Sequence, residues 1–154
     1  MSWKAHGEWC IRVHGQLLLY RVQGAWNAEG AKAYCSAASS AAEPLVHSPW
    51  AILGDLTEWQ LATLDCQPYI RQISERARDF NCKLQCLIIG DNPLKGDLMR
   101  QTVPEDCQLH LPPDLDTALA TLAEAGFEES ARAVADCGLD ELLGESPDAK
   151  GLSA

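Results

Sequence analysis

Residues 50–56 read WAILGDL, and the interpretation of the whole chain starts from this short apolar run. Pro49 precedes the run and polar residues follow it, so its length is that of a single strand. A strand that is apolar at successive positions is typical of one buried on both faces of a sheet. Residues 50–56 therefore predict an interior strand with helices packed on its sheet.

Upstream of this strand, the sequence predicts a hairpin followed by a helix. Alternating residues over 9–13 and the apolar run over 17–22 indicate two strands, and Gly15 lies in the turn between them. Asn27 is a helix N-cap residue type, and an alanine-rich helix over 28–38 follows it.

Downstream, helices and strands alternate. Residues 57–59 are interpreted as a linker, 68–80 as an amphipathic helix and 84–89 as a second buried strand. The remaining predicted elements are a short helix over 94–101, a brief strand over 107–111, a helix capped by Asp114, and helices over 128–137 and 139–143. This order predicts an α/β fold with a mixed, mostly parallel sheet of about five strands.

The net charge of −10 lies entirely in the last third of the chain. Residues 1–104 contain ten acidic and ten basic residues, whereas residues 105–154 contain twelve acidic residues against Arg132 and Lys150. Because no basic surplus exists to replace phosphate counterions, we expect no nucleic-acid partner. Set against the predicted order of helices and strands, this distribution divides the chain into an α/β domain over 1–125 and an acidic helical extension over 126–154.

The cysteines and the absence of long apolar runs define the expected compartment. No stretch approaches the roughly 20 apolar residues that a membrane span requires, and the N-terminus does not resemble a secretion signal. We therefore expect a cytoplasmic protein with reduced thiols. The seven cysteines show no CxxC pair, so neither a metal site nor a cofactor is expected.

Four segments carry a resemblance to a known family: LLLYRVQGAWNAEGAKAY (17–34), WAILGDLTEW (50–59), CLIIGDNP (86–93) and CQLHLPPDLDTALATL (107–122). Together with the element order, they resemble the STAS domain of bacterial anti-sigma-factor antagonists and of sulfate-transporter tails. The resemblance is greater to the STAS-like branch of small bacterial proteins of undetermined role, and it covers residues 8–125. It implies a regulatory module that acts through protein–protein interaction.

The chain departs from this family at the phosphorylation site. Signalling members carry a serine in an Asp-Ser-Ser-Gly stretch, whereas the comparable stretch here is Asp65-Cys66-Gln67-Pro68. Thr57 and Thr63 lie nearby but are displaced from that position. We therefore expect a module without the usual phosphorylatable serine.

Candidate binding residues are taken from the loops that follow the parallel strands, because open α/β sheets bind ligands at the carboxyl ends of their strands. The tryptophans at positions 26 and 59 predict an amphipathic wall there, or edge packing that covers the end of the sheet. The full candidate set is Trp26, Asn27, Asp55, Thr57, Trp59, Asp65, Cys66, Asp91 and Asn92.

Two chemical alternatives remain within that set. Asp55, Asp65 and Asp91 either pair with one another as catalytic acid and base, or form turns and cap helices. Cys66, next to a predicted helix N-terminus, is either a nucleophile with a lowered pKa or a buried packing residue.

The sequence thus predicts a non-enzymatic STAS-like interaction module with an unidentified protein partner. The alternative is a protein that binds a small apolar molecule or lipid in a loop pocket near Trp26 and Trp59, and a thiol-dependent enzyme is a third hypothesis. A homodimer is left open, as is docking of the acidic extension onto its own sheet or onto a second copy.

Overall fold

The computed structural model describes residues 7–144 and 149–150. The strands are β1 (Glu8–His14), β2 (Leu17–Trp26), β3 (Trp50–Asp55), β4 (Trp59–Ala62), β5 (Cys82–Ile88), β6 (Leu109–His110) and β7 (Ala149–Lys150). The helices are α1 (Ala28–Ala42), α2 (Gln67–Asp79), α3 (Pro93–Thr102), α4 (Leu115–Leu122), α5 (Glu128–Cys137) and α6 (Leu139–Leu143). The helices over 128–137 and 139–143 lie where the sequence predicts them.

The sheet is mixed and mostly parallel, as predicted. Six of its strands follow the order β6-β5-β3-β2-β1-β7, and β4 pairs with β2 outside this order. Strands β1 and β2 form the predicted hairpin, paired in antiparallel register from Glu8 opposite Gln23 to His14 opposite Leu17. Strands β2, β3, β5 and β6 run parallel to one another. Their carboxyl ends therefore share one edge of the sheet.

The linker predicted over 57–59 is wrong at its last position. Trp59 begins β4, which pairs in parallel with β2 from Gly24 opposite Trp59 to Trp26 opposite Ala62. The physical reason is a difference in strand length: β2 continues past the last β2–β3 pair, Arg21 opposite Asp55. The exposed backbone groups at the end of β2 need a partner, and β4 provides one.

Strand β3 is buried on both faces, because helices cover each side of the sheet. All six of its residues are buried. Alternate side chains enter two cores, with Ile52 among residues of α1, α2 and α3, and Leu53 among residues of α4, α5 and α6. WAILGDL is therefore the central strand, as its composition predicts.

Three helices begin with side-chain caps, two of which the sequence predicts. Asn27 accepts a hydrogen bond from the Gly30 amide (2.9 Å), and Asp114 accepts one from the Thr117 amide (2.8 Å). Asn92 caps α3 in the same way. Each cap satisfies an amide that the first helical turn leaves unpaired.

The described helices of the acidic extension, which lie within residues 126–144, pack on the sheet. Helices α5 and α6 follow a bend at Gly126, whose φ is 103°. Val134 and Leu143 are fully buried in the same core as Leu53. The division at residue 125 stays a prediction, but the described helices of the extension dock on their own chain.

We predict that Leu143→Ala lowers the free energy of unfolding by about 2–4 kcal/mol, because it leaves a cavity in the core under α6. Chemical denaturation followed by circular dichroism measures the change. Glu141→Ala on the exposed face of α6 is the matched control and should change stability by less than about 0.5 kcal/mol. An equally small effect of both substitutions would mean that α6 is not part of the folded core.

Candidate functional site

All nine candidate residues lie at the carboxyl ends of β2, β3 and β5 or in the segments that directly follow these strands. Asp55 ends β3, and its carboxylate is the centre of the local polar network. Its Oδ2 accepts a hydrogen bond from Arg21 Nε (2.9 Å), and its Oδ1 accepts from the Thr57 amide (2.9 Å) and hydroxyl (2.7 Å). Both carboxylate oxygens are thus engaged in structural hydrogen bonds, which fix the turn after β3.

Arg21 connects this network to the acidic helices. Its Nη2 donates to Asp140 Oδ1 (2.5 Å) at the start of α6, while its Nε binds Asp55. Burial acts to lower the pKa of Arg21, but the hydrogen bonds that Arg21 donates to Asp140 and Asp55 raise it above its ordinary value. The guanidinium therefore stays charged and joins the edge of the sheet to α6.

A buried lysine anchors the other side of the turn. Lys95 is 5 % exposed, and its Nζ donates to the carbonyls of Leu56 (2.6 Å) and Thr57 (3.0 Å). Burial lowers the pKa of Lys95, and the nearby charge of Asp55 opposes that shift. These bonds attach the first turn of α3 to the end of β3.

Sequence reasoning missed Arg21, Lys95 and Asp140. The sequence contains one local signal, which is Lys95 itself. The positive charge of a lysine in the first turn of a helix is repelled by the positive end of the helix dipole, so the lysine needs another partner. Arg21 and Asp140 are separated by more than a hundred residues, and no local pattern connects them.

The two candidate tryptophans are core residues. Trp26 and Trp59 are both buried. The Trp26 ring packs against Trp9 (centroids 5.7 Å apart) and Tyr34 (5.4 Å), and its Nε1 donates to the Gln23 carbonyl (2.8 Å). Of the two predicted arrangements, the structure shows packing that covers the end of the sheet. The rings of Trp26 and Trp59 line a small cavity of about 70 Å³.

Cys66 is 1 % exposed and lies just before α2. Its thiol is 3.7 Å from the Trp26 carbonyl and 3.7 Å from the Thr63 hydroxyl. Burial raises the pKa of Cys66, which is opposite to the shift that a nucleophilic thiolate requires. In the structure this residue therefore has the burial and the direction of pKa shift that a packing residue has.

The remaining candidates shape turns and caps. Asp65 is exposed and accepts a hydrogen bond from the Thr63 hydroxyl, and Asp91 is exposed in the turn after β5. Asn27 and Asn92 cap α1 and α3. Within residues 7–144, no three His, Cys, Asp or Glu side chains form a group suited to a metal ion.

Two leucines are exposed at this same edge. Leu64, between β4 and α2, is 78 % exposed, and Leu94, in the first turn of α3, is 62 % exposed. Leu94 precedes the anchored Lys95, and Leu64 precedes the buried Cys66 by two residues. Fixed neighbours therefore position both exposed apolar side chains. We call the exposed residues Thr57, Glu58, Leu64, Asp65, Asp91 and Leu94 the loop surface.

Comparison with solved structures identifies the fold. The chain is similar to an uncharacterised protein of the DUF3478 family from Shewanella loihica PV-4, whose fold is described as SpoIIAA-like. The TM-score is 0.57 at 16 % sequence identity, and the match covers 79 % of this chain and 98 % of that one. The fold is thus SpoIIAA-like, which confirms the STAS-like architecture that the sequence predicts.

Comparisons by sequence add no relative. No family model matches the chain, and no curated protein matches it. In the described residues, no helix is long and apolar enough to cross a membrane.

We predict that Asp55→Ala lowers the free energy of unfolding by about 2–3 kcal/mol, because Arg21 and Thr57 lose their shared acceptor in a mostly buried site. Asp97→Ala removes an exposed ion pair with Arg100 and is the matched control, with an expected loss below about 0.5 kcal/mol. Denaturant titrations at pH 7 measure both values. Similar losses for the two variants would contradict a structural role of Asp55.

We also predict that iodoacetamide labels Cys66 in the native protein at least about tenfold more slowly than Cys137, which is exposed. The physical reason is the burial of Cys66 and the raised pKa of its thiol. Peptide mass spectrometry over a time course at neutral pH provides the rates. Labelling of Cys66 as fast as that of Cys137 would restore the thiol-enzyme hypothesis.

Proposed function

We propose that this chain is a non-enzymatic STAS-like module that binds a protein partner through the loop surface, without phosphorylation of that surface. The observation that carries the proposal is the exposure of Leu64 and Leu94 at the carboxyl edge of the sheet. They are the two most exposed large apolar side chains in the described part of the chain. Exposed apolar groups on a firmly held surface are suited to burial in an interface.

Pre-organisation of the surface supports this role. Asp55 holds the turn after β3 through the amide and hydroxyl of Thr57, and Lys95 holds the first turn of α3 through two carbonyls. A surface that is already ordered loses little conformational entropy when it binds. The loop surface therefore suits a folded module that presents fixed contacts.

The position of Cys66 supports independence from phosphorylation. In the signalling relatives that the sequence resembles, a serine in the comparable stretch accepts the phosphate. Here that position is a buried cysteine whose side chain contacts the Trp26 carbonyl. Neither a hydroxyl nor an exposed side chain occupies it.

The hydrogen bonds of Asp55 and the burial of the Cys66 thiol support a non-enzymatic role. Both oxygens of Asp55 accept hydrogen bonds from Arg21 or Thr57, and burial raises the pKa of the Cys66 thiol. The alternative function, binding of a small apolar molecule or lipid in a pocket near Trp26 and Trp59, is not favoured by the size of the cavity there. Its volume of about 70 Å³ has room for a few water molecules and not for a lipid chain.

The test is partner capture from a native lysate of the source cells, with quantitative mass spectrometry of the bound proteins. The double variant Leu64→Ser/Leu94→Ser should lose the proteins that the wild type retains, by about tenfold or more in affinity, because two interface anchors are removed. Val13→Ser is the matched control, since Val13 is exposed on the β1–β2 hairpin away from this edge. It should capture the same proteins as the wild type.

Two results would contradict the proposal. Equal capture by the wild type and the double variant would exclude the loop surface as the interface. The second result is loss of capture when the purified bait is treated with phosphatase, together with the same loss for Thr63→Ala. It would show that partner binding depends on phosphate. Melting curves of each variant confirm that the fold is intact.

A further inference from the structure

A second feature lies at the opposite end of the sheet, where β3 begins at Trp50. Between α1 and α2 the structure has an open cleft of about 450 Å³. We call it the α1–α2 cleft. Its walls are mainly apolar and include Leu18, Ala42, Val46, Trp50, Ile52 and Phe80. A volume of this size lies within the range of small-molecule sites, roughly 300–1,000 Å³.

The cleft exists because α1 carries small side chains over large neighbours. Ala38, Ser39 and Ala42 are the α1 residues that line it before the helix ends, while Trp50 and Ile52 form its floor on the sheet. Alanine and serine do not reach far enough to fill the space between α1 and α2. Compact proteins close most such spaces by packing, so an unfilled apolar cleft is informative.

Hydrogen bonds hold the floor of the cleft in place. Trp50 Nε1 donates to the Phe80 carbonyl (2.7 Å), and the Trp50 amide donates to the Asn81 carbonyl (3.1 Å). The Asn81 side chain in turn donates to the Val46 carbonyl (2.6 Å). These bonds connect the loops before β3 and β5, so the cleft is formed before any ligand binds.

One cation lines the cleft. Arg76 on α2 donates from Nη1 to the Ser39 hydroxyl (3.4 Å), which places a guanidinium and a hydroxyl together at the opening. The neighbouring arginines of α2 are both paired, Arg71 with Glu75 and Arg78 with Asp106. Among the described residues, Arg76 has no carboxylate within 4 Å.

The single acidic residue in the lining is Glu43, which follows the last turn of α1. Its carboxylate is more than 4 Å from the Arg76 guanidinium, so the two do not form an ion pair. The guanidinium of Arg76 therefore keeps its capacity to bind an anion, and guanidinium groups match carboxylates in a two-pronged geometry.

We propose that the α1–α2 cleft binds a single-chain amphiphile with one carboxylate, in the chemical class of medium-chain fatty acids. Arg76 and Ser39 hold the carboxylate at the opening, and the chain lies over Trp50 and Ile52. The cleft and the cavity beneath Trp26 share Leu18, Ala38, Ile52 and Ile73 as lining residues. The end of the chain therefore points from the opening toward that cavity.

The proposal is independent of the loop surface, because the two sites lie at opposite ends of β3. The probe is sodium decanoate below its micelle concentration, with binding measured by isothermal titration calorimetry. We expect one saturable site, and octanoate should bind about tenfold more weakly because two buried methylene groups are lost. Decyltrimethylammonium, which has the same chain and the opposite charge, should bind at least about tenfold more weakly than decanoate.

Paired variants locate the site. Ser39→Trp fills the opening and should abolish binding, whereas Ser40→Trp, at the next exposed position of α1 and outside the lining, should not change it. Arg76→Gln should weaken decanoate binding by about tenfold, whereas Arg71→Gln on the same helix should have no effect. Glu43→Gln should leave the affinity unchanged or raise it, since it removes a negative charge from the lining.

Several outcomes would overturn the proposal. The first is the absence of saturable decanoate binding, and the second is equal affinity for decanoate and decyltrimethylammonium. The others are equal decanoate binding within either pair of variants, Ser39→Trp with Ser40→Trp or Arg76→Gln with Arg71→Gln. Flotation with phosphatidylglycerol vesicles in the absence of decanoate binding would also overturn it, because a bilayer surface would then be the ligand. Circular dichroism of each variant shows that lost binding does not reflect lost folding.

Discussion

The structure depends on the burial of β3 between two helical layers. Ala51 and Leu53 of this strand are fully buried on the side of α4, α5 and α6, and Ile52 is buried on the side of α1, α2 and α3. Apolar burial on both sides provides the main favourable free energy, and it also requires parallel neighbours whose crossover helices cover the faces. The two cores, the parallel order of the sheet and the common carboxyl edge all follow from that requirement.

The polar groups at the carboxyl end of β3 are paired because this end of the strand is mostly buried. Where β3 reaches its last residue, Asp55 cannot remain unpaired in a mostly buried site, so Arg21 and Thr57 bind it, and Lys95 binds the next two carbonyls. This network fixes the turn after β3 and the first turn of α3, and Leu64 and Leu94 lie exposed at the same end of the sheet. At the amino end of the same strand, small residues of α1 leave the α1–α2 cleft open, so one buried strand separates two surfaces with different chemistry.

Local patterns predicted most of the elements, since capping, helical periodicity and continuous apolar runs are properties of neighbouring residues. Asn27 and Asp114 are the caps that their residue types suggest, and α5 and α6 end where glycines interrupt the pattern. Strand β4 was missed because its formation depends on the unpaired end of β2, which no window around Trp59 contains. The candidate residues lie at the carboxyl ends of the parallel strands, whereas the hydrogen-bond partners Arg21 and Lys95 were not predicted and the burial of the two tryptophans was one of two arrangements left open.

By itself, the sequence determined the class of fold, the position of the candidate loops and the presence of a cysteine rather than a serine at position 66. Composition and periodicity are sufficient for these properties because each depends on residues that are close in the chain. Only the tertiary structure decided that Trp26 and Trp59 are buried, that Arg21 joins Asp55 to Asp140, and that Cys66 is buried. The physical reason is that burial and ion pairing depend on segments far apart in sequence, and folding alone brings those segments together.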